Sequence, residues 1–154
     1  MTSKKKNPVL ADFENQLSNV FFMTRSQKTE QYTEIVDAIS FVLAEYSLNL
    51  IIADSKQYQN ELWANVKSCI DASYYGIAVF EQIDKLDINP NVSLELGYML
   101  AQGKKCLLLK EKRFQALQTD LVGHLYKTFD SHHIKETVIL AVRNWQFLSN
   151  APKR

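Results

Sequence analysis

The residues best equipped for chemistry in this 154-residue chain fall in a few short stretches. Thr24, Arg25 and Ser26 close an apolar run and offer one permanent cation and two hydroxyls, a set suited to phosphate or ribose oxygens. Asn89 and Pro90 form a helix start. An Asn side chain accepts from the orphan amides of the first turn, and Pro occupies the first helical position, where its missing N–H costs nothing. The positive end of that helix would favour an anionic or polar ligand. Glu95 lies on the same helix, three residues after Val92 and four before Met99, at the border of its inward face. A helical glutamate is ordinarily a solvated one, but a carboxylate at such a border is partly desolvated. Asp54 and Glu81 each end an apolar run, where they could cap the next element or meet a ligand. Trp63 could stack on a base, although a Trp at helical spacing is ordinarily core.

Other patterns are excluded or bland. The four glycines, Gly76, Gly97, Gly103 and Gly123, are not spaced as a dinucleotide or Walker phosphate loop. His132 and His133 are adjacent and diverge on a helix, His124 sits beside Gly123, and no ligand set for a structural metal is visible. Asp120 precedes an apolar pair and is read as ordering the approach to a strand. Cys69 and Cys106 fall inside apolar patterns and read as reduced core residues. Eighteen Lys plus Arg oppose 17 Asp plus Glu, which leaves no electrostatic footprint for direct nucleic-acid binding, and Lys4 to Lys6 read as a solvated tail. No apolar run approaches the roughly 18 residues of a membrane span, so a cytoplasmic chain is expected, with no membrane partner.

The elements that must position these residues alternate strictly. Residues 1–18 read as a polar lead-in or tether with a short helix after Pro8, residues 19–149 as a single domain, and 150–154 as a tail. Apolar, β-favouring runs at Asn19 to Thr24, Leu48 to Ala53, Tyr74 to Phe80, Cys106 to Leu109 and Leu125 to Phe129 read as five buried strands. A helix from Glu30 carries Ile35, Ile39, Val42 and Leu43 on one face. A second carries Leu62, Trp63, Val66, Cys69 and Ile70. The third runs from Pro90 to about Gln102 and is stopped by Gly103, with Gly97 and Ala101 allowing close approach to the sheet. A short helix over Phe114 to Val122 and a last one carrying Ile134, Val138, Ala141, Val142, Trp145 and Leu148 complete the set. The expectation is an α/β fold: one flavodoxin-like domain with a five-stranded parallel sheet of order 2-1-3-4-5 and helices on both faces. In such a sheet ligands bind beyond the carboxyl ends of the strands where the order reverses, here between strands 1 and 3.

The segment from Asn89 to Lys104, NPNVSLELGYMLAQGK, resembles the N-P-N-V-x-x-E-L-G-x-x-x-A-x-G-K signature of TIR-like nucleotide-binding proteins and of the nucleoside 2-deoxyribosyltransferase-like superfamily. The likeness extends over roughly Asn19 to Trp145. It implies cleavage of an N-glycosidic bond between ribose and a base, with the central carboxylate on Glu95. Departure of the base leaves an oxocarbenium-like centre that a fixed carboxylate can stabilise or attack. The chain departs from the pattern after strand 3, where Phe80-Glu81 and a longer loop replace an Asp and a short one, so that Glu81, Asp84 or Asp87 would take that place. Met23-Thr24-Arg25 likewise replaces the Pro-Phe often found after strand 1.

The first expectation drawn from the resemblance is a TIR-like NAD(P) glycohydrolase releasing nicotinamide, the effector or signalling module of a bacterial defence system. It would use NAD as substrate, need no cofactor, and work as a homo-oligomer or as a module of a larger assembly. The alternatives are a nucleoside or nucleotide N-glycosidase or 2-deoxyribosyltransferase, and a non-catalytic nucleotide-binding or scaffolding module. Glu95 is the expected catalytic residue. Thr24, Arg25, Ser26, Asp54, Trp63, Glu81, Asn89 and Asn91 are the expected substrate-binding set, with a small-molecule nucleotide, NAD or a nucleoside monophosphate, as partner.

Overall fold

Strand β1 (Asn19–Met23) is buried at every position and β3 (Tyr75–Phe80) at all but its first, as strands covered on both faces must be. In the computed structural model, which describes residues 5–25, 29–81, 90–114, 126–145 and 147–148, they pair with β2 (Asn49–Ile51), β4 (Lys105–Glu111) and β5 (Tyr126–Phe129). All pairings are parallel, and the order is β2-β1-β3-β4-β5. Phe21 lies between Ile51 and Gly76, so the order reverses across the β1–β3 pair.

Alternate side chains feed two cores. Val20, Phe22, Ile77, Val79, Leu107 and Leu109 pack against α1 (Glu30–Glu45) and α4 (Ile134–Arg143). Phe21, Met23, Ala78, Phe80 and Leu108 pack against α2 (Leu62–Asp71) and α3 (Pro90–Ala101). Each of these side chains larger than Ala78, fully buried, contributes about 1.5–3 kcal/mol of transfer free energy. Thr29 caps α1 by accepting from the Tyr32 amide at 3.1 Å. Gly103, at φ +71°, ends α3: its amide and that of Lys104 donate to Leu100 and Met99, a left-handed stop that glycine makes without strain.

Several sequence expectations are revised. Residues 7–18 do not hang free: Val9 is fully buried in the α2–α3 core, Leu10 and Phe13 pack beside it, and the Asn7 and Gln16 amides donate to carbonyls of Ser68 and Asp71. Three apolar side chains within five residues suffice to dock a segment otherwise polar in composition. β2 stops at Ile51, and Ala53–Ser55 turns into a 3-10 helix. α4 ends at Arg143, so Trp145 and Leu148 reach the core from the following turns rather than along the helix. Gly97 and Ala101 face outward, and a Cβ at Gly97 would meet nothing within 4 Å. The close approach is made instead at Gly76, where a Cβ would lie 2.6 Å from Met99 Sδ and 2.8 Å from Met23 Cε. His132 and His133 occupy the turn before α4, not a helix. Both cysteines are free as expected, and burial pushes the Cys69 thiol up to about 11. The expected helix over Phe114 to Val122, with Asp120 and His124, lies outside the described residues beyond a buried Phe114.

Candidate functional site

A cavity of about 260 Å³ opens at the carboxyl ends of β1 and β2, walled by α1, α2 and α3. The expected place is between strands 1 and 3; among the described residues none of β3 lines the cavity, which sits instead on the β2 side of β1, with α3 closing it. Phe21 and Phe22 form its floor together with Ile52 and Val66. Thr24 comes from the end of β1, Tyr32 from α1, Ala53 and Asp54 from the turn after β2, Leu62 and Trp63 from the first turn of α2, and Asn91, Leu94 and Glu95 from α3.

The geometry of α3 explains why Glu95 is there. Val92, Leu96 and Met99 form the stripe that packs on the sheet, each essentially inaccessible. Asn91, Leu94 and Glu95 form the adjoining stripe, neighbours at helical spacings of three and four, which looks past the sheet edge into the cavity. Glu95 is half-buried, and the loss of hydration pushes its carboxyl up from 4.5 to about 7, helped by the negative charge of Asp54. The same aspartate helps raise Tyr32, for which burial is the larger cause. Two carboxylates and a phenol thus share one small space.

Trp63 is not the core residue that its helical spacing suggests. It is 36% exposed, and Leu62 beside it 78% exposed, because the first turn of α2 overhangs the cavity rather than the sheet. Its ring meets Tyr98 edge-on at 5.8 Å between centroids, and Tyr98 Oη donates to Asp71 Oδ1 at 3.0 Å. An aromatic face is therefore held at the cavity mouth by a partner that is itself tied down.

Five of the expected site residues are brought together: Thr24, Asp54, Trp63, Asn91 and Glu95. Glu81 is not among them. Residue alternation along β3 turns it to the α1 face, where it is 4% exposed and accepts a hydrogen bond from the Gln31 side chain. Burial raises its carboxyl, and Gln31 and the Arg25 charge oppose the rise. Arg25 accordingly acts on Glu81, outside the cavity wall. Ser26 and Asn89, with Asp84 and Asp87, lie outside the described residues. Sequence reasoning missed Tyr32, Leu62, Leu94 and Tyr98 as parts of this site. It also missed Asn65, a buried polar residue inside the apolar stripe of α2, which was the one signal available. Among the described residues no group of three or more His, Cys, Asp or Glu could hold a metal ion, and no helix is long and apolar enough to cross a membrane.

Sheet order defines the chain as a doubly wound α/β protein of the flavodoxin-like type, with a carboxylate-bearing cavity at the carboxyl ends of β1 and β2. No protein-family model and no curated protein sequence matches it. Among solved structures it is similar to a 2-deoxyribosyltransferase from Bacillus psychrosaccharolyticus, with a TM-score of 0.55 and 15% identity over 88% of this chain and 97% of that one. A 2-deoxyribosyltransferase from Leishmania mexicana gives 0.50 and 14% over 62% of this chain, which spans only 65% of that protein. A conserved protein from Enterococcus faecalis V583 gives 0.50 and 15% over 79% and 97%. At these identities the likeness is one of fold: the chain has the fold of the nucleoside 2-deoxyribosyltransferases.

Proposed function

We propose that this chain breaks the N-glycosidic bond of a nucleoside or nucleotide, releasing the base or passing the sugar to a second base, with Glu95 as the central carboxylate. The observation that carries this reading is the half-buried Glu95 facing a small cavity whose mouth presents the Trp63 ring. The likeness to solved 2-deoxyribosyltransferases supports the nucleoside alternative over the NAD-cleaving expectation. So does the wall itself, because among the described residues the charged groups that line it, Asp54 and Glu95, are both acidic and would disfavour a pyrophosphate.

In this reading the base stacks on Trp63, and Thr24, Asp54 and Asn91 hold the sugar through its hydroxyls. As the C1′–N bond breaks, its electron pair leaves with the base and positive charge develops at C1′. Ionised Glu95 stabilises that charge or bonds to C1′; water or an incoming base nitrogen then bonds to C1′, the Glu95–C1′ bond breaking where one has formed, and the proton the attacking group loses balances the one the departed base takes up from solvent. Poor hydration strengthens this attraction, since little water competes for the carboxylate.

The test is incubation of concentrated protein with deoxynucleosides, ribonucleosides, nucleoside monophosphates and NAD, each with and without a second free base, followed by chromatography. Free or exchanged base is expected, reduced at least about a hundredfold in Glu95→Gln. Equal turnover in both proteins would remove Glu95 from its role. Nicotinamide release from NAD alone would restore the NAD-cleaving reading. Ligand-induced thermal stabilisation without product would identify a binding module.

A further inference from the structure

Asp54 reaches the cavity from an irregular stretch, yet that stretch is tightly specified. Residues 53–59 pass around the side chain of Asn65, which is 6% exposed on α2. Its Oδ1 accepts from the amides of Tyr58 at 2.6 Å and Gln59 at 3.1 Å, and its Nδ2 donates to the carbonyls of Ala53 at 3.1 Å and Lys56 at 3.2 Å. Two acceptor and two donor positions are all that an amide side chain has, and every one is directed at this loop. Ser55 adds a hydrogen bond from Oγ to the Ile52 carbonyl at 2.7 Å, and the Asp12 carboxylate ties Lys56 Nζ and Tyr58 Oη from outside, each at 2.6 Å.

We infer that Asn65 is a positioning residue of this site: its buried amide fixes the 53–59 loop and thereby sets the Asp54 carboxylate against Glu95. A carboxylate at position 65 would face two carbonyls without a donor, and an aliphatic side chain would leave four backbone groups unpaired. Only an amide of this length serves both halves of the loop. The inference rests on the reading of the cavity as the reacting site, in which Asp54 holds the sugar and Glu95 meets C1′.

The Glu95 carboxyl is the natural reporter. Among the described residues, the ionisable groups that line the cavity with it are Asp54 from the loop and Tyr32 from α1. The residues facing it from β1 and α2, Phe21, Thr24 and Trp63 among them, carry no charge, and Tyr98 on its own helix is engaged by Asp71. A loop that drifts outward hydrates Glu95 and removes the neighbouring charge, and both changes lower its titration midpoint. A contribution to stability alone would leave the midpoint where it is.

The experiment is a carbon-13 NMR titration of the Glu95 carboxyl in the full chain, assigned by comparison with Glu95→Gln, for wild type, Asp54→Asn, Asn65→Ala and the double variant. Asn65→Ala is expected to lower the midpoint by about half a pH unit or more, and by less once Asp54 is already Asn, where only the gain of hydration remains. An unchanged midpoint in folded Asn65→Ala would overturn the inference. So would an equal fall in the Asp54→Asn background, since Asn65 would then act by another route. Asn65→Ser, judged by the same two criteria, serves if Asn65→Ala does not fold. Titration needs no turnover, so absence of base release would remove the proposed function and leave this result standing.

Discussion

Glu95→Gln has a consequence for stability that is independent of any substrate. Burial raises the folded-state carboxyl from 4.5 to about 7. A raised pKa means that the folded chain holds its proton more tightly than the unfolded chain. Stability from this group is therefore fully present below about pH 4.5 and is lost as pH rises through about 7. The difference of about 2.5 pH units corresponds to about 3 kcal/mol at the alkaline plateau, at about 1.4 kcal/mol per unit. Gln fills nearly the same space without ionising. The difference in unfolding free energy between Glu95→Gln and wild type should therefore be small near pH 5 and grow in favour of the variant to about 3 kcal/mol by pH 8. Urea denaturation of both proteins at half-unit pH steps, at constant ionic strength, measures it. A difference that stays flat between pH 5 and 8 would refute the claim that Glu95 is desolvated in the free protein. Such a variant, more stable and less active, would show the strain that a reacting carboxylate imposes on its fold.

The same geometry sets further expectations. Trp63→Ala should raise KM for a nucleoside about tenfold or more through loss of a stacking surface, while changing the melting temperature little, because the ring is 36% exposed. Glu81→Gln should leave base release close to wild type in the same chromatographic assay, because Glu81 lines no part of the cavity. Gly97→Ala should stabilise the chain by about 0.5–1 kcal/mol and Gly76→Ala destabilise it by about 1–3 kcal/mol in urea unfolding, the first being an open helical position and the second pressed against Met99 and Met23. Ser47, at φ 55°, should gain about 1 kcal/mol on replacement by Gly, read in the same way.

How far the sequence exposes this architecture depends on what each residue is packed against. The strands are legible because they are covered on both faces, which leaves continuous apolar runs and places β1 and β3 within a residue or two. α1 is legible because one face is buried along its length, from Ile35 to Leu43. The pattern fails where a helix runs past the sheet. Leu62 and Trp63 continue the apolar spacing of Val66, Cys69 and Ile70, but the sheet ends beneath them and they wall a cavity instead. Periodicity reports which residues share a face and says nothing of where the opposing surface stops. Asn65 is hidden for the converse reason: its value lies in four backbone groups of a loop with no regular pattern of its own.

Two glutamates at the carboxyl ends of this sheet carry raised carboxyls, and burial is the main cause for both, so perturbation alone does not identify the reacting one. Their neighbours separate them. Around Glu81 the fold supplies a hydrogen bond from Gln31 and the charge of Arg25, which outweigh the like charge of Glu111 and hold a carboxylate in place as part of the α1 face. Around Glu95 the second cause is the like charge of Asp54, so the surroundings oppose its ionised form, and the open space beside it is the cavity. A developing cation at C1′ would reverse that balance: two carboxylates that repel each other in the free protein would both be drawn to it. Electrostatic energy unfavourable in the free protein is then released as the glycosidic bond breaks, which is the differential stabilisation that accelerates a reaction. Glu81, tied to Gln31 and lining no part of the cavity, is not placed to meet such a cation. The distinction therefore rests on like charges facing open volume, a property of Glu95 and Asp54 together that neither residue has alone.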